Sequence, residues 1–251
     1  MLGSGSGGNC TFIGDERSGV LIDAGLSAQE TDYRLRQIGV DPRILRGVLI
    51  THEHRDHVFG ANSVAGDLKV PIYANEKTAR AARGLSRISD LRPFQTGRPF
   101  DLDGYWVQPI PLSHDAADPV AFSLEKEGQK IGCVTDLGTP TEPLIDALLG
   151  CQILILEFNH DPQMLQNGPY PAHLKQRVSS AHGHLSNGEA TDLLRAVAHS
   201  GLRHLFLAHM SQVNNLPELA RLAAEEALHE CEAQPVVHLS WQDFASSVAT
   251  L

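Results

Sequence analysis

The sequence predicts an α/β protein in which two sheets are packed between helices. Three observations support this class: short apolar runs alternate with helical patterns, several strands follow one another without a helix, and polar motifs stand just after strands. With 251 residues, of which 42% are hydrophobic, the chain can bury one large core. We therefore expect a single domain over residues 1–251.

The predicted strands are short apolar runs of four to six residues, most of them bounded by glycine, proline or charged residues. In chain order they cover residues 10–13, 20–23, 48–51, 69–74, 105–110, 121–126, 130–135, 153–157, 203–208 and 236–239.

The predicted helices begin at capping signals and end near glycine. Residues 27–30 and 186–189 match the capping-box pattern, and Gly39 and Gly201 act as stop signals. Pro143 is tolerated because it falls in the first turn of its helix. Helices are therefore expected over residues 27–38, 141–149, 186–200 and 217–232.

Composition limits the classes of function. The 20 basic and 30 acidic side chains give a formal net charge of −10, which argues against a general nucleic-acid coat protein. Nucleic acid stays possible because metal ions and local patches can bind phosphate. Four widely spaced cysteines without a Cys-x-x-Cys pair indicate free thiols in a reducing compartment. Without a signal-peptide pattern or a spanning apolar stretch, we expect a cytoplasmic protein that does not enter a membrane. The sequence leaves the oligomeric state open.

Residues 52–57, His-Glu-His-Arg-Asp-His, directly follow the apolar run 47–51. They carry four potential metal ligands, which are His52, His54, Asp56 and His57. Imidazole and carboxylate groups are ligands for zinc, manganese or iron. If the chain turns from strand to helix here, His52 and His54 point together while Asp56 and His57 face a second position. That arrangement suits two metals, and the alternative is a solvated polar loop.

Three later residues repeat the same placement at the end of a strand. His114, Asp136 and His209 each follow an apolar run that is predicted to be a strand. Any one of them alone is an ordinary hydrogen-bonded or surface residue. Their order along the chain is more specific than any single member.

The order His-x-His-x-Asp-His, then His, Asp and His, resembles the metallo-β-lactamase superfamily over nearly the whole chain. The resemblance implies a four-layer αββα sandwich with a site for two divalent metal ions, Zn²⁺ or Mn²⁺, at one edge. It also implies that Asp23 orients a ligand histidine from behind. The implied ligands are His52, His54 and His114 for one metal, Asp56, His57 and His209 for the other, and Asp136 as a bridge.

Further segments resemble one branch of this superfamily. Residues 183–186 and 208–211 look like paired histidine segments of ribonuclease Z-like phosphodiesterases, although Leu185 departs from their pattern. Other segments are similar to the WalJ/YycJ group of bacterial nucleases, at residues 4–9, 114–119, 157–161 and 167–171. This resemblance implies a 5′→3′ DNA exonuclease in genome maintenance, with DNA as its partner. The segment from Asp136 to His182 is too short for a β-CASP domain or a tRNA-gripping arm.

Three residues are candidate catalytic groups under that resemblance. His184 would donate a proton to the departing oxygen, and Asp56 would steer the nucleophile besides binding metal. His160 is open between metal contact, proton relay to His184, phosphate binding and a structural hydrogen bond.

Two segments are candidate substrate contacts. Arg80, Arg83 and Arg87 recur at helical spacing in a basic stretch, which predicts a shared face that is either a phosphate track or a solvated helix surface. The glycine-rich start that ends at Asn9 is either a phosphate-holding loop or a permissive turn. Phe, Trp and Tyr make up only 6% of the chain, so the sequence shows no base-stacking platform.

Two other functions share the predicted metal ligands. A glyoxalase II-like enzyme would hydrolyse a thioester or lactone at such a site. A metal-stabilised regulatory protein would bind metal without turnover, but such a protein has no need for a site that keeps a coordination position open.

Overall fold

Strands and helices alternate along the chain in the computed structural model, which describes residues 1–82 and 84–251. The elements group into two units. The first unit comprises Met1–Pro109, Ala116–Val120 and Trp241–Val248, and the second comprises Ile110–Asp115, Ala121–Ser240 and Ala249–Leu251. The single domain expected from the sequence stays a prediction.

The first unit is built on a mainly parallel sheet. Its strands are β1 (Thr11–Gly14), β2 (Gly19–Ile22), β3 (Leu45–Leu49), β4 (Ile72–Asn75), β5 (Leu91–Phe94), β6 (Phe100–Leu102) and β7 (Tyr105–Pro111, whose last two residues count with the second unit). Its helices are α1 (Ala28–Gln37), α2 (Arg55–Val58), α3 (Ala61–Leu68) and α4 (Glu76–Ala81), with 3₁₀ turns at Pro42–Ile44 and Leu85–Arg87. The sheet order is β1-β2-β3-β4-β5, antiparallel between β1 and β2 and parallel thereafter, while β6 and β7 form an antiparallel hairpin.

The apolar core of the first unit fixes the strand that leads to the histidine segment. Val48 and Ile50 are fully buried in this core, together with Leu21 of β2 and Ile72 of β4. Burying an aliphatic side chain of this size contributes about 1.5–3 kcal/mol. The chain therefore reaches His52 from a rigid strand.

The second unit combines a largely parallel sheet with longer helices. Its strands are β8 (Val120–Lys126, whose first residue counts with the first unit), β9 (Gln129–Val134), β10 (Ile153–Glu157), β11 (His204–Ala208) and β12 (Val236–Leu239). Its helices are α5 (Glu142–Leu148), α6 (Pro162–Asn167), α7 (Ala172–Val178), α8 (Asn187–Val197) and α9 (Pro217–Glu230). The order is β12-β11-β10-β9-β8, antiparallel between β8 and β9 and parallel from β9 to β12.

Parallel register brings three strand ends to one edge of this sheet. Val134 of β9 pairs with Leu156 of β10, and Glu157 pairs with Ala208 of β11. Residues that follow these strands must therefore emerge side by side. The apolar core of the second unit holds Leu156 and Leu207 at less than 1% exposure, so the edge is rigidly supported.

The predicted strands and helices are confirmed, with boundaries that agree to within three residues. Ser186 and Glu189 form the predicted capping box at the start of α8. At α1 the Ser27 hydroxyl accepts the amide of Glu30, while the carboxylate of Glu30 pairs with Arg34.

The predicted arginine face is wrong as a continuous helix. Arg80 lies in α4, which ends at Ala81, and Arg87 lies in a separate 3₁₀ turn after the extended residue Ala82. Arg83 falls outside the described residues. Arg80 also pairs with Glu76 at 2.5 Å, so one predicted phosphate contact is occupied by a carboxylate. No helix among the described residues is long and apolar enough to cross a bilayer.

Candidate metal centre

The first unit gathers three histidines at the end of β3. The ring of His52 lies 4.5 Å from that of His54 and 4.0 Å from that of His57, measured between centroids. The chain turns into α2 at Arg55, so Asp56 and His57 are helical while the other two histidines precede the helix. The turn from strand to helix predicted from the sequence is confirmed.

Asp23 lies behind these histidines and orients one of them. Its carboxylate accepts the amide of Thr51 at 2.9 Å and lies 2.7 Å from Nδ1 of His57. Burial raises the pKa of Asp23, and the adjacent His57 opposes that rise. A proton held on Nδ1 leaves the Nε2 lone pair of His57 for a ligand, which is the usual role of a carboxylate behind a metal-binding histidine.

Asn9 is buried against His57 and its neighbour Asp56. Its Nδ2 lies 3.2 Å from Oδ2 of Asp56 and 3.0 Å from Nε2 of His57. Its Oδ1 accepts the amide of Gly5, and the amide of Gly7 donates to the Gln242 side chain. The first bond closes the glycine-rich start on itself and the second ties it to Gln242, and both favour the turn over the phosphate loop. Asn9 therefore contacts two of the predicted metal ligands, and its predicted contact with substrate stays a prediction.

The second unit gathers four ionisable side chains at one sheet edge. Asp136, Glu157, His184 and His209 each offer a ligand atom, and these atoms lie within 4.8 Å of one another. Asp136 follows β9, Glu157 ends β10 and His209 follows β11, which explains their proximity.

Glu157 is the centre of this cluster and was missed from the sequence. It is fully buried, accepts the amides of Asp136 and Leu185, and lies 3.3 Å from Nδ1 of His184 and 3.5 Å from Nδ1 of His209. Burial pushes the pKa of Glu157 upward, but His184 and His209 outweigh it and bring the pKa to about 2. A carboxylate inside the apolar strand Ile-Leu-Ile-Leu-Glu was the available signal, because such a group is almost never buried without partners.

His114 lies beside this cluster, and a backbone carbonyl fixes the orientation of its ring. Its Nδ1 lies 3.0 Å from the carbonyl oxygen of Gly183. A carbonyl can only accept, so Nδ1 carries the proton and Nε2 carries the lone pair. That Nε2 lies 3.3 Å from Asp115 and 3.9 Å from Asp136. Burial lowers the pKa of His114, which favours the neutral ring that a metal ligand requires.

Three of the named residues adopt the left-handed backbone conformation. Asp23, Asp136 and His209 have φ angles of 62°, 59° and 51°. A left-handed residue other than glycine costs of order 1–3 kcal/mol and tends to occur at functional sites. Asp23 and His209 directly follow β2 and β11, and Asp136 stands two residues after the end of β9, so each lies in a turn at a strand end.

His160 lies near Glu157 and His184 without joining their group of potential ligands. It belongs to no group of potential ligands among the described residues, and its carbonyl accepts the amide of Asn187. Within the described part of the chain its buried Nδ1 has no hydrogen-bond partner, and burial lowers its pKa. Asn159, a second residue missed from the sequence, donates from its amide to the carbonyl of His209 at 2.8 Å and so supports the left-handed turn there.

The donors fit a divalent metal. The second-unit cluster combines two carboxylates with two imidazoles, and sulfur ligands are absent from it. Such nitrogen and oxygen sets accommodate zinc or manganese.

The family model described as the metallo-beta-lactamase superfamily matches residues 3–153. The chain belongs to the metallo-β-lactamase superfamily.

Two bacterial relatives of this superfamily align over nearly the whole chain. An exodeoxyribonuclease YycJ from Bacillus anthracis is 34% identical over 92% of this chain and 88% of its own length. An exodeoxyribonuclease WalJ from Streptococcus pneumoniae is 30% identical over 100% of this chain and 95% of its own length. The predicted similarity to the WalJ/YycJ group is confirmed.

Solved structures confirm the fold. The metallo-β-lactamase-fold protein YhfI from Bacillus subtilis superimposes with a TM-score of 0.69 at 16% identity, covering 97% of this chain and 96% of its own. Human tRNase Z, short form, gives a TM-score of 0.62 at 19% identity over 84% of this chain and 92% of its own. The predicted fold class, an α/β protein of the metallo-β-lactamase type, is confirmed.

Proposed function

We propose that this chain is a two-metal phosphodiesterase that removes nucleotides from the 5′ ends of DNA. Its nuclease class has direct support: the superfamily model and two exodeoxyribonucleases align with it, the latter over nearly its full length. The substrate, polarity and metals belong to the proposal. A role in genome maintenance, one domain over residues 1–251 and a cytoplasmic location also stay predictions.

The proposed metal ligands are the seven residues of the sequence pattern. Their side chains supply only nitrogen and oxygen donors, which suits Zn²⁺ or Mn²⁺. The seven are His52, His54, Asp56, His57, His114, Asp136 and His209. When bound, two such ions would neutralise charge on the phosphate and hold the attacking and leaving oxygens in line.

The pairing of Glu157 with His184 carries the proposal. With Oε1 of Glu157 3.3 Å from Nδ1 of His184, a proton on Nδ1 is stabilised and the ring is held in one orientation. His184 then presents Nε2 as the atom that gives a proton to the departing sugar oxygen, a step typically worth 10²–10⁴-fold. Glu157 acts through His184 and the amides it accepts, so it is a positioning residue.

Two substrates with different leaving groups test whether His184 is the general acid. Departure of a sugar oxygen needs a proton, whereas p-nitrophenolate leaves without one. The variant His184→Ala should therefore lose roughly 10²–10⁴-fold in kcat on DNA and far less on bis-p-nitrophenyl phosphate. Equal losses on both substrates, with metal content intact, would remove the acid role.

End-labelled single- and double-stranded DNA and RNA, incubated with the purified protein and Mn²⁺ or Zn²⁺, test the substrate and polarity. We expect mononucleotides to be released progressively from 5′ ends of DNA. The variant Asp56→Ala must abolish the activity, since a contaminating nuclease would survive the substitution. Release from 3′ ends, or a preference for RNA, would overturn that part of the proposal.

The two alternatives have their own outcomes in the same preparation. Turnover of a glutathione thioester without DNA cleavage would identify a glyoxalase II-like hydrolase. Bound metal with no turnover of either substrate would identify a regulatory protein. Among the predicted phosphate contacts, Arg87 is exposed on its 3₁₀ turn, and we keep it as a proposed substrate contact.

A further inference from the structure

Beside the histidine segment, the first unit exposes an aromatic ring with a guanidinium above it. Phe59 directly follows α2 and is 57% exposed. The guanidinium carbon of Arg55, one helical turn earlier, lies 4.9 Å from the ring centroid. Asp56, one of the proposed metal ligands, directly follows Arg55 in the chain. Arg55 and Phe59 therefore border the proposed metal ligands.

Arg55 differs from most arginines of this acidic chain. In the part of the chain that the structure describes, nine arginines form ion pairs with carboxylates, including Arg36, Arg43, Arg92 and Arg195. Within the described residues no carboxylate pairs with Arg55, which is exposed and holds its guanidinium over the face of Phe59. Its positive charge is therefore available to an anion.

The backbone around Phe59 is held rigidly. The amide of Ala24 donates to the carbonyl of His57 at 2.8 Å, and the amide of Gly60 donates to the carbonyl of Ala24 at 2.7 Å. A Cβ at Gly60 would lie 1.7 Å from the carbonyl oxygen of Leu26, so the chain is packed closely there. An exposed aromatic ring on fixed backbone loses little conformational freedom on binding.

We propose that Arg55 and Phe59 bind one nucleotide of a single-stranded end, with the base stacked on Phe59 and a phosphate on Arg55. This inference rests on the proposed function and narrows its substrate to unpaired ends. Every base has a π face, so the platform favours single strands without reading sequence. A base inside a duplex is stacked and paired, and it cannot reach the ring.

Matched oligonucleotides separate the two contacts. One is a short oligothymidylate, and the other is an abasic strand of equal length, both with phosphorothioate linkages that resist cleavage. Fluorescence anisotropy with the metal-loaded protein gives the Kd of each. Stacking should make oligothymidylate bind roughly 5- to 150-fold tighter than the abasic strand.

Variants assign that preference. Phe59→Leu should reduce the ratio of the two Kd values to near one, and Arg55→Gln should weaken both strands by a similar factor and flatten the salt dependence. Tyr33→Leu is the control, because Tyr33 is a comparably exposed ring on α1, and it should leave both Kd values unchanged. Circular dichroism melts confirm that the variants fold.

The outcomes also separate this inference from the proposed function. If Phe59→Leu keeps the wild-type ratio, the platform is wrong while the nuclease proposal stands. If the wild-type protein neither binds nor cleaves any oligonucleotide, both proposals fall.

Discussion

Each unit places a buried carboxylate behind histidines, but the two carboxylates hold different parts of the chain. Asp23 accepts one backbone amide, from Thr51, and contacts one histidine, His57. Glu157 accepts two amides from different segments, at Asp136 and Leu185, and lies beside two histidines. Asp23 therefore orients one ring, whereas Glu157 ties together several loops.

The pKa directions of the two carboxylates follow the same difference. Burial raises the pKa of Asp23, since one histidine and the hydrogen bonds from Thr51 do not offset the loss of water. For Glu157, burial also acts upward, but two histidines reverse the direction. Both carboxylates are buried, and the second adjacent histidine distinguishes Glu157 from Asp23.

The largest effect should come from removing Glu157. Glu157→Ala leaves two buried amides and two histidines without their acceptor, and we expect the free energy of unfolding to fall by about 3–5 kcal/mol. Asp23→Ala should lower the free energy of unfolding by less, because it leaves fewer buried polar groups without an acceptor. Urea unfolding of both metal-free variants measures the order, and an equal or reversed order would contradict the comparison.

The next largest loss of stability should come from substituting glycines that pack against each cluster. A Cβ at Gly25 would lie 1.8 Å from the carbonyl oxygen of Asp56, and one at Gly183 would lie 2.2 Å from that of Val178. We expect Gly25→Ala and Gly183→Ala to destabilise by about 1–3 kcal/mol each, with Gly25→Ala the more severe. The readout is the thermal midpoint.

Gly66→Ala is the matched control for these substitutions. Gly66 lies inside α3 with no atom within 4 Å of an added Cβ. Alanine there should stabilise by roughly 0.5–1 kcal/mol. A loss of stability at Gly66 would show that the glycine argument is not specific to the clusters.

A smaller effect is expected when Asp23 keeps its shape but loses its charge. Asp23→Asn should weaken metal binding roughly 10–100-fold while the fold survives, because the carboxylate tunes and orients His57. Competition with a chromophoric chelator measures the affinity. The control is Asp41→Asn, an exposed carboxylate paired with Arg43, which should not change it.

The smallest effect concerns Asn9. Asn9→Ala removes hydrogen bonds to Asp56 and His57, each worth about 0.5–1.5 kcal/mol. We expect a loss of metal affinity of about tenfold and no comparable loss with the exposed Asn62→Ala. Unchanged affinity in Asn9→Ala would mean that Asp56 and His57 are already held by their helix.

The sequence predicts the strands and longer helices because period and capping are local properties. Short elements such as α3 and β5 were missed: α3 carries Gly66, and β5 carries Pro93, so neither shows a clear period. Arg80 and Arg87 illustrate the limit for surfaces, since helical spacing cannot reveal that α4 ends between them.

For the candidate site, a position at the end of a predicted strand was an effective signal of a functional residue. Burial of a polar side chain among distant segments could not be seen in the sequence. His52, Asp136 and His209 stand out because polar residues interrupt apolar runs. Glu157 also ends an apolar strand, but apolar Phe158 follows it, and its contacts are amides from distant segments. Asn9 looked like part of an open loop because its backbone bond to Asp56, and the bond from the Gly7 amide to Gln242, join residues far apart in the sequence and leave no local pattern.

The left-handed backbone at three site residues affects how an inactive protein should be made. Alanine at Asp23, Asp136 or His209 would keep a Cβ in that conformation but lose the polar side chain that helps to support it, so reduced activity would be confounded by instability. Glycine or asparagine tolerates that conformation and gives a cleaner knockout. Asp56 lies in α2 with ordinary helical geometry, so Asp56→Ala removes only the carboxylate.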